Sequence, residues 1–363
     1  MKKSTVRLLF DVLKKYCCEG VFTNCALGWF KRGEEWSEKG FFYCKNEGDI
    51  CNCAVTEPEG KESFFDLASL TKVLVTIPSL LLLARAGKIN FEQPLVDFYP
   101  EAPFPLAEAT LFQLINHSSG LPAHRPYYAS LITLAEEERF EAVVQSILAE
   151  RVEAAPGEKT RYSDLGYILL GRIIEKVTGK GLEEFWQQVL QIPSGLEKSL
   201  FFGDEMRQKN ITPVSTGRSR WNGEALQGRV HDDNCRILGG VAGHAGLFGN
   251  CRGVVEMAQL FNNEYHGEGN LLPKKLFQEL VNKKSGERRC GFDIPEGRTS
   301  SSGHLFSPLT IGHLGFTGTS MWIDLQRGVG IVLLTNRVCC GEDLAGIRRM
   351  RPEIHDILMK SLV

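Results

Sequence analysis

No apolar stretch in these 363 residues is long enough to cross a membrane. The longest run, Val73 to Ala84, is interrupted by Thr76, Pro78 and Ser79, whereas a spanning helix needs about 20 apolar residues. An excess of basic charge is also missing. Lys and Arg number 42 against 44 Asp and Glu, a net charge of −2, which argues against nucleic acid or an anionic membrane as the main partner. The eleven cysteines are irregularly spaced and include no Cys-x-x-Cys, so neither a zinc ribbon nor a thioredoxin-type centre is suggested. His-Glu-x-x-His, Gly-x-Ser-x-Gly and a glycine loop running into Lys-Ser/Thr are likewise absent. Those absences argue against the common zinc peptidase, the α/β-hydrolase elbow and the phosphate-binding loop.

What remains is a globular composition, 43% hydrophobic and 24% charged, with enough chain for two lobes or one large domain. Val6, Leu9, Phe10, Leu13 and Cys17 recur at helical spacing, with charges on the opposite face. The spacing predicts an amphipathic first helix belonging to the fold rather than an export signal, since Arg7, Asp11, Lys14 and Lys15 break any apolar core of such a signal. Strands are predicted over 21–30 and 36–43, and again over 319–324 and 328–335 around Leu325-Gln326-Arg327. Residues 45–63 read as polar and irregular. A long helix starts near Ser69 and ends at Gly87, with Pro78 marking a kink or change of register. Between Asn90 and Arg229 the pattern is mainly helical. Asp164 is expected to cap a helix closed by Gly179, and a terminal helix over 344–362 carries Pro352. These features predict an α/β (α+β) fold in which both termini build one antiparallel sheet flanked by helices. Residues 1–88 and 230–363 form that lobe, 89–229 a mainly helical inserted lobe, and the active site lies at their interface.

Ser69-Leu70-Thr71-Lys72 is the leading chemical candidate. A serine and a lysine three residues apart share a face at the first turn of a helix. The serine needs a proton acceptor, and a lysine whose pKa is lowered in a partly dry site can serve. Arg161-Tyr162-Ser163-Asp164 adds a tyrosine that a lysine cation can hold as phenolate, or that can relay the proton. Gly312-His313-Leu314-Gly315-Phe316-Thr317-Gly318 supplies a glycine-spaced strand that lets a substrate backbone approach, with a backbone N–H suited to an oxyanion hole.

Together these elements resemble the penicillin-recognising serine hydrolases, which include class C β-lactamases, D-alanyl-D-alanine carboxypeptidases and related amidases and esterases. Leu114-Ile115-Asn116-His117-Ser118-Ser119-Gly120-Leu121-Pro122 and Phe316-Thr317-Gly318-Thr319-Ser320-Met321-Trp322-Ile323-Asp324 extend the resemblance over nearly the whole chain. It implies the β-lactamase and DD-peptidase fold, Ser69 as the acylated nucleophile, Lys72 and Tyr162 sharing base and acid work, and the Ser69 and Phe316 N–H groups as the oxyanion hole. It places Asp164 where the family usually has Asn, and His313 where it usually has Lys. Asp164, His313, Gly315 and Thr317 are then substrate-binding, with Thr317 or Thr319 able to compensate for Leu314, which stands where a Thr usually binds a substrate carboxylate. Gly228 to Asn234 and the following glycine-dense loop resemble a subgroup tied to cell-wall recycling, which brings His231, Asp232 and His244 to the cleft. The implied partner is a peptidoglycan peptide or muropeptide, with a β-lactam as inhibitor or poor substrate. Carboxypeptidase chemistry leads, with muramoyl-alanine amidase and small-ester hydrolase as alternatives. A muropeptide sensor without turnover is the non-enzymatic alternative. No metal or organic cofactor is required; a metal site from His231, Asp232, Asp233 and His244 is the weaker alternative. The unpaired cysteines and the first helix suggest the cytoplasm, with the periplasm as alternative. A redox role for Cys51 and Cys53 is a minor hypothesis.

Overall fold

The computed structural model describes residues 3–33, 38–47, 50–54, 62–297, 300–341 and 343–363. Its main sheet uses strands β1 (Asn24–Lys31), β2 (Glu38–Glu47), β3 (Ile50–Ala54), β4 (Lys284–Ser285), β5 (Arg288–Arg289), β6 (Phe292–Asp293), β7 (Thr310–Leu314), β8 (Ser320–Asp324) and β9 (Val329–Thr335). They lie in the order β3-β2-β1-β9-β8-β7-β6-β5-β4, and every pairing is antiparallel. The first strand and the last therefore meet at the middle of the sheet, with Leu27 opposite Leu333 and Trp29 opposite Ile331.

Side chains alternate across a strand, and both central strands are apolar on both faces. Leu27, Trp29, Ile331 and Leu333 point into a core closed by helices α1 (Lys3–Cys18) and, near the C-terminus, Ala345–Leu362. Ala26, Phe30, Val332 and Leu334 point the other way, into the larger core shared with the helix Cys251–His266. The amphipathic first helix is part of this packing: Leu9, Val12, Leu13 and Tyr16 are buried.

Three sequence expectations change. The stretch 45–63 contains β3, because Cys44 pairs with Cys53 and Asn46 with Cys51 at the sheet edge; pairing to a neighbour, rather than apolar alternation, makes this strand. The side chains of Cys51 and Cys53 lie outside the described part of the structure. The helix after Ser69 winds first as a π-helix, Lys72–Thr76, then as α2 (Ile77–Arg85). The change of register thus precedes Pro78, which sits in the first turn of α2 where a missing N–H costs little. Finally, Ser163, not Asp164, caps helix α3 (Asp164–Thr178): its hydroxyl accepts from the Gly166 N–H, and Gly179 closes the helix at φ +68°. The Asp164 carboxylate is left for other work.

Candidate active site

The chain reaches Ser69 through a strained turn. Ala68 has φ +47°, a left-handed conformation uncommon for a residue with a Cβ, so its surroundings must hold it. The buried Asp66 carboxylate accepts the Ala68 N–H at 2.9 Å and the His231 N–H at 2.7 Å. Thr71 Oγ1 donates to the Ala68 carbonyl at 2.7 Å. From the β7–β8 connection, Thr317 Oγ1 donates to the Asp66 carbonyl at 2.7 Å and Thr319 Oγ1 to that of Leu67 at 3.2 Å. Burial pushes the Asp66 carboxyl up to about 6, against the pull of its two backbone N–H donors. The Thr317 hydroxyl is therefore spent on clamping the nucleophile turn, although the residue also borders the cleft.

Ser69, Lys72 and Tyr162 meet. Ser69 Oγ accepts from Lys72 Nζ at 3.0 Å and from Tyr162 OH at 2.8 Å. Lys72 is fully buried and its other two donors are also used, on Asp164 Oδ1 at 2.8 Å and on the His244 carbonyl at 3.0 Å. Burial works against its ammonium, but the Asp164 carboxylate beside it favours the charge, and the Lys72 pKa ends above its ordinary value. This overturns the expectation of a lysine lowered by a dry site. Burial raises the Tyr162 pKa as well, with the Lys72 charge only partly offsetting it, so Tyr162 is a phenol and not a phenolate. Asp164 is held well below the usual carboxylate range: burial opposes this, and Lys72, His124 and His244 overcome it. The His244 ring is buried behind Lys72, with Nε2 2.9 Å from Asp232 Oδ1. Its carbonyl holds the lysine, and the ring does not border the cleft.

The opposite wall is β7 and the residues after it. His313 is buried, and its Nδ1 lies 2.9 Å from the Leu314 carbonyl. That contact requires the proton on Nδ1, which leaves Nε2 as a bare acceptor without a partner. Burial first, then Arg288 and Lys72, hold the ring well below its ordinary pKa. Gly315 is needed for close approach: a Cβ there would stand 2.0 Å from Thr319 Oγ1 and 2.8 Å from the Leu67 carbonyl. Phe316 is 42% exposed at the mouth, with the His231 ring 5.5 Å from its own. Neither the Ser69 nor the Phe316 N–H bonds to any described residue. Both stand on the rim of a cavity of about 580 Å³ that also takes in Tyr162, Asp164, His231, Asp232 and His313.

Sequence reasoning missed His124, Arg220, Arg288 and Arg351, which border the same cavity. His124 follows the Leu121-Pro122 turn, and nothing in its spacing marks it. Arg288 pairs with Asp293 and lies over the Tyr162 ring; Arg351 donates to the Gly315 and Thr319 carbonyls at 3.0 and 2.8 Å. Among the described residues no group of three or more His, Cys, Asp or Glu is disposed to hold a metal ion, and no helix is long and apolar enough to cross a membrane.

A serine, a buried lysine and a tyrosine in mutual contact on a cleft floor are equipment for acyl transfer. The beta-lactamase family model matches residues 21–348. The chain belongs to the beta-lactamase family. It is a member of a group of serine hydrolases. An Escherichia coli K12 protein named "Putative D-alanyl-D-alanine carboxypeptidase" is 28% identical over 304 residues, covering 76% of this chain and 69% of that protein. Among solved structures, an octameric penicillin-binding protein homologue from Pyrococcus abyssi matches with a TM-score of 0.69 at 19% identity, over 98% of this chain and 76% of that one. A D-amino acid amidase from Ochrobactrum anthropi matches with a TM-score of 0.67 at 19% identity, over 99% and 100%. At such identities the structural likenesses concern the fold.

Proposed function

We propose that this serine hydrolase is a D-alanyl-D-alanine carboxypeptidase-like enzyme acting on peptidoglycan-derived peptides and able to bind β-lactams. The observation that carries the reading is Ser69 Oγ receiving hydrogen bonds from both Lys72 and Tyr162, beside two backbone N–H groups with no described partner. Ser69 Oγ attacks the substrate carbonyl and its proton passes to the Lys72–Tyr162 pair. The carbonyl oxygen takes up the negative charge against the Ser69 and Phe316 N–H groups. Collapse of the adduct breaks the C–N bond, the amine leaves with a proton from Tyr162, and water then hydrolyses the ester with the same pair as base. Because Lys72 rests as an ammonium, it must lose a proton before acylation.

The 28% identical carboxypeptidase-named relative supports the substrate class. The neutral His313 and the hydroxyl-free Leu314 favour a second reading, an amidase or esterase that does not depend on a terminal carboxylate. Product analysis on a muramyl pentapeptide separates the two. Release of D-alanine supports the first reading, while release of the whole peptide replaces it with N-acetylmuramoyl-L-alanine amidase. A fluorescent penicillin should label the wild type and not Ser69→Ala; label on the folded variant would remove Ser69 from its role.

A further inference from the structure

Behind the reacting groups lies a histidine that the chemistry above does not use. His117 follows the short helix Leu111–Ile115, is buried, and has φ +57°. A side chain in that left-handed region is uncommon and persists where its surroundings fix it. Two of its acceptors are spent on the segment that carries Tyr162. The His117 carbonyl accepts the Arg161 N–H at 2.8 Å, and Nδ1 accepts the Ser163 N–H at 3.0 Å. One residue thus holds the main chain on both sides of Tyr162. Its ring also lies against the phenol, with centroids 4.5 Å apart, and 5.0 Å from the ring of Tyr167 on the other side. Tyr167 is in turn anchored by its hydroxyl, which donates to the Ile115 carbonyl at 2.9 Å.

The grip depends on a neutral ring. Nδ1 accepts only when it carries no proton, so the proton of the imidazole sits on Nε2. Burial first, then Arg288, Lys72 and His313, hold the ring well below its ordinary pKa, and Asp164 opposes them. Nε2 is buried without a partner among the described residues, so the ring is held by Nδ1 and by its two tyrosine neighbours. The Pro122 and Ala123 carbonyls accept from the Ser163 hydroxyl at 2.6 Å and the Asp164 N–H at 2.9 Å. Those bonds fix the chain beyond Tyr162, whereas His117 spans it.

We propose that His117 is a positioning residue for Tyr162: it sets the phenol on Ser69 by holding the N–H groups on either side of Tyr162 and by backing its ring. This rests on the serine acyl-transfer reading above. The Tyr162 hydroxyl stands 2.8 Å from Ser69 Oγ, and in amide cleavage it must deliver a proton to the leaving nitrogen. Misplacing such a group by about 1 Å costs on the order of 10²-fold in rate. The position asks for two things at once, a left-handed backbone and a side-chain acceptor where Nδ1 stands. Asparagine meets both, since it tolerates that conformation and carries a carbonyl oxygen at the same branch of the side chain. Glycine fits the backbone still better and offers no acceptor. The two substitutions therefore separate conformation from grip.

The test compares, on the full chain, acylation by a fluorescent penicillin, whose nitrogen needs a proton to leave, with hydrolysis of p-nitrophenyl acetate, whose phenolate leaves without one. Both rates are corrected for the Ser69→Ala background. A plain loss of folded protein lowers both alike and leaves their ratio unchanged. His117→Gly should lower the penicillin-to-ester ratio by roughly 10- to 100-fold, and His117→Asn should bring it back to within about 3-fold of wild type. In a Tyr162→Phe background, His117→Gly should cost less than about 3-fold further, because the group it aims is gone. A folded glycine variant with an unchanged ratio overturns the proposal, as does a full cost that persists in Tyr162→Phe. Should the glycine variant not fold, the asparagine variant decides: a ratio as low as that of Tyr162→Phe overturns the proposal, and a ratio near wild type supports it. If one probe alone reacts, the cycle with Tyr162→Phe on that probe decides. Ser69-dependent reaction of the wild type keeps the acyl-transfer reading standing when the proposal fails; reaction with neither probe takes both down.

Discussion

The two walls of the cleft are built on opposite plans. On the Lys72 side every donor of a buried ammonium is satisfied, by Ser69, Asp164 and the His244 carbonyl. On the β7 side two polar groups facing the cavity are left open, the His313 Nε2 acceptor and the Phe316 N–H, which have no described partner. A satisfied buried network is rigid and intolerant of loss. Unsatisfied groups at the edge of a cavity carry a cost that a bound substrate can relieve. The first wall therefore holds and moves protons, and the second waits for a ligand.

The largest effect should come from breaking the satisfied wall. Lys72→Met leaves Asp164 a buried carboxylate without its counter-charge, and removing one partner of a buried pair typically costs about 3–5 kcal/mol. It also removes the base, so acylation by a fluorescent penicillin should slow by roughly 10²–10⁴-fold in the protein that still folds. Unchanged labelling would show that Lys72 is outside the chemistry. Tyr162→Phe should fall below this. The lysine's hydrogen bond to Ser69 survives while proton delivery to the leaving amine is lost, so turnover of an amide should drop by about 10²-fold or more, and turnover of an activated ester by less.

How far this contrast could be read in advance differs by wall. Ser69, Lys72 and Tyr162 were visible because a short spacing and a tyrosine before a helix carry the signal locally. Strands at both ends of the chain likewise betray themselves as short apolar runs bounded by turn residues, as at Ala26 to Phe30 and Gly330 to Leu334. The spacing alone gives the protonation of Lys72 the wrong sign. It depends on Asp164, 92 residues away and 2.8 Å distant, and on Ser163 taking the capping duty that Asp164 seemed to own. His124 and Arg288 reach the cleft only through tertiary packing, and β3 exists only because β2 lies beside it. Local chemistry is written in spacing; the charge environment that tunes it is assembled by the fold.

Smaller effects should come from the turn that joins the walls. Gly315→Ala places a Cβ against Thr319 Oγ1 and the Leu67 carbonyl, and the latter, being backbone, cannot rotate away. Overpacking of this kind costs about 1–3 kcal/mol, and it pushes the β7 wall off the nucleophile turn. Acylation should suffer more than substrate binding, which separate measurement of kcat and KM would reveal.

The mildest perturbation concerns Asp66, which ties Ala68 to His231. Its pKa in the folded protein is about 6, above an unfolded value near 3.9, so the native state binds the extra proton between those values. Stability from this group is therefore greatest below the unfolded value and is lost as pH rises through the folded one, by roughly 3 kcal/mol at most. Asp66→Asn removes the titration but keeps only one acceptor for two N–H donors. Going from pH 4 to pH 7, the wild type should lose denaturant-measured stability relative to Asp66→Asn. At pH 7 the variant should still acylate more slowly, because an amide cannot accept from both Ala68 and His231 and the Ser69 N–H loses its aim. A stability difference that stays constant with pH would mean that the carboxyl is ionised throughout and that burial does not govern it.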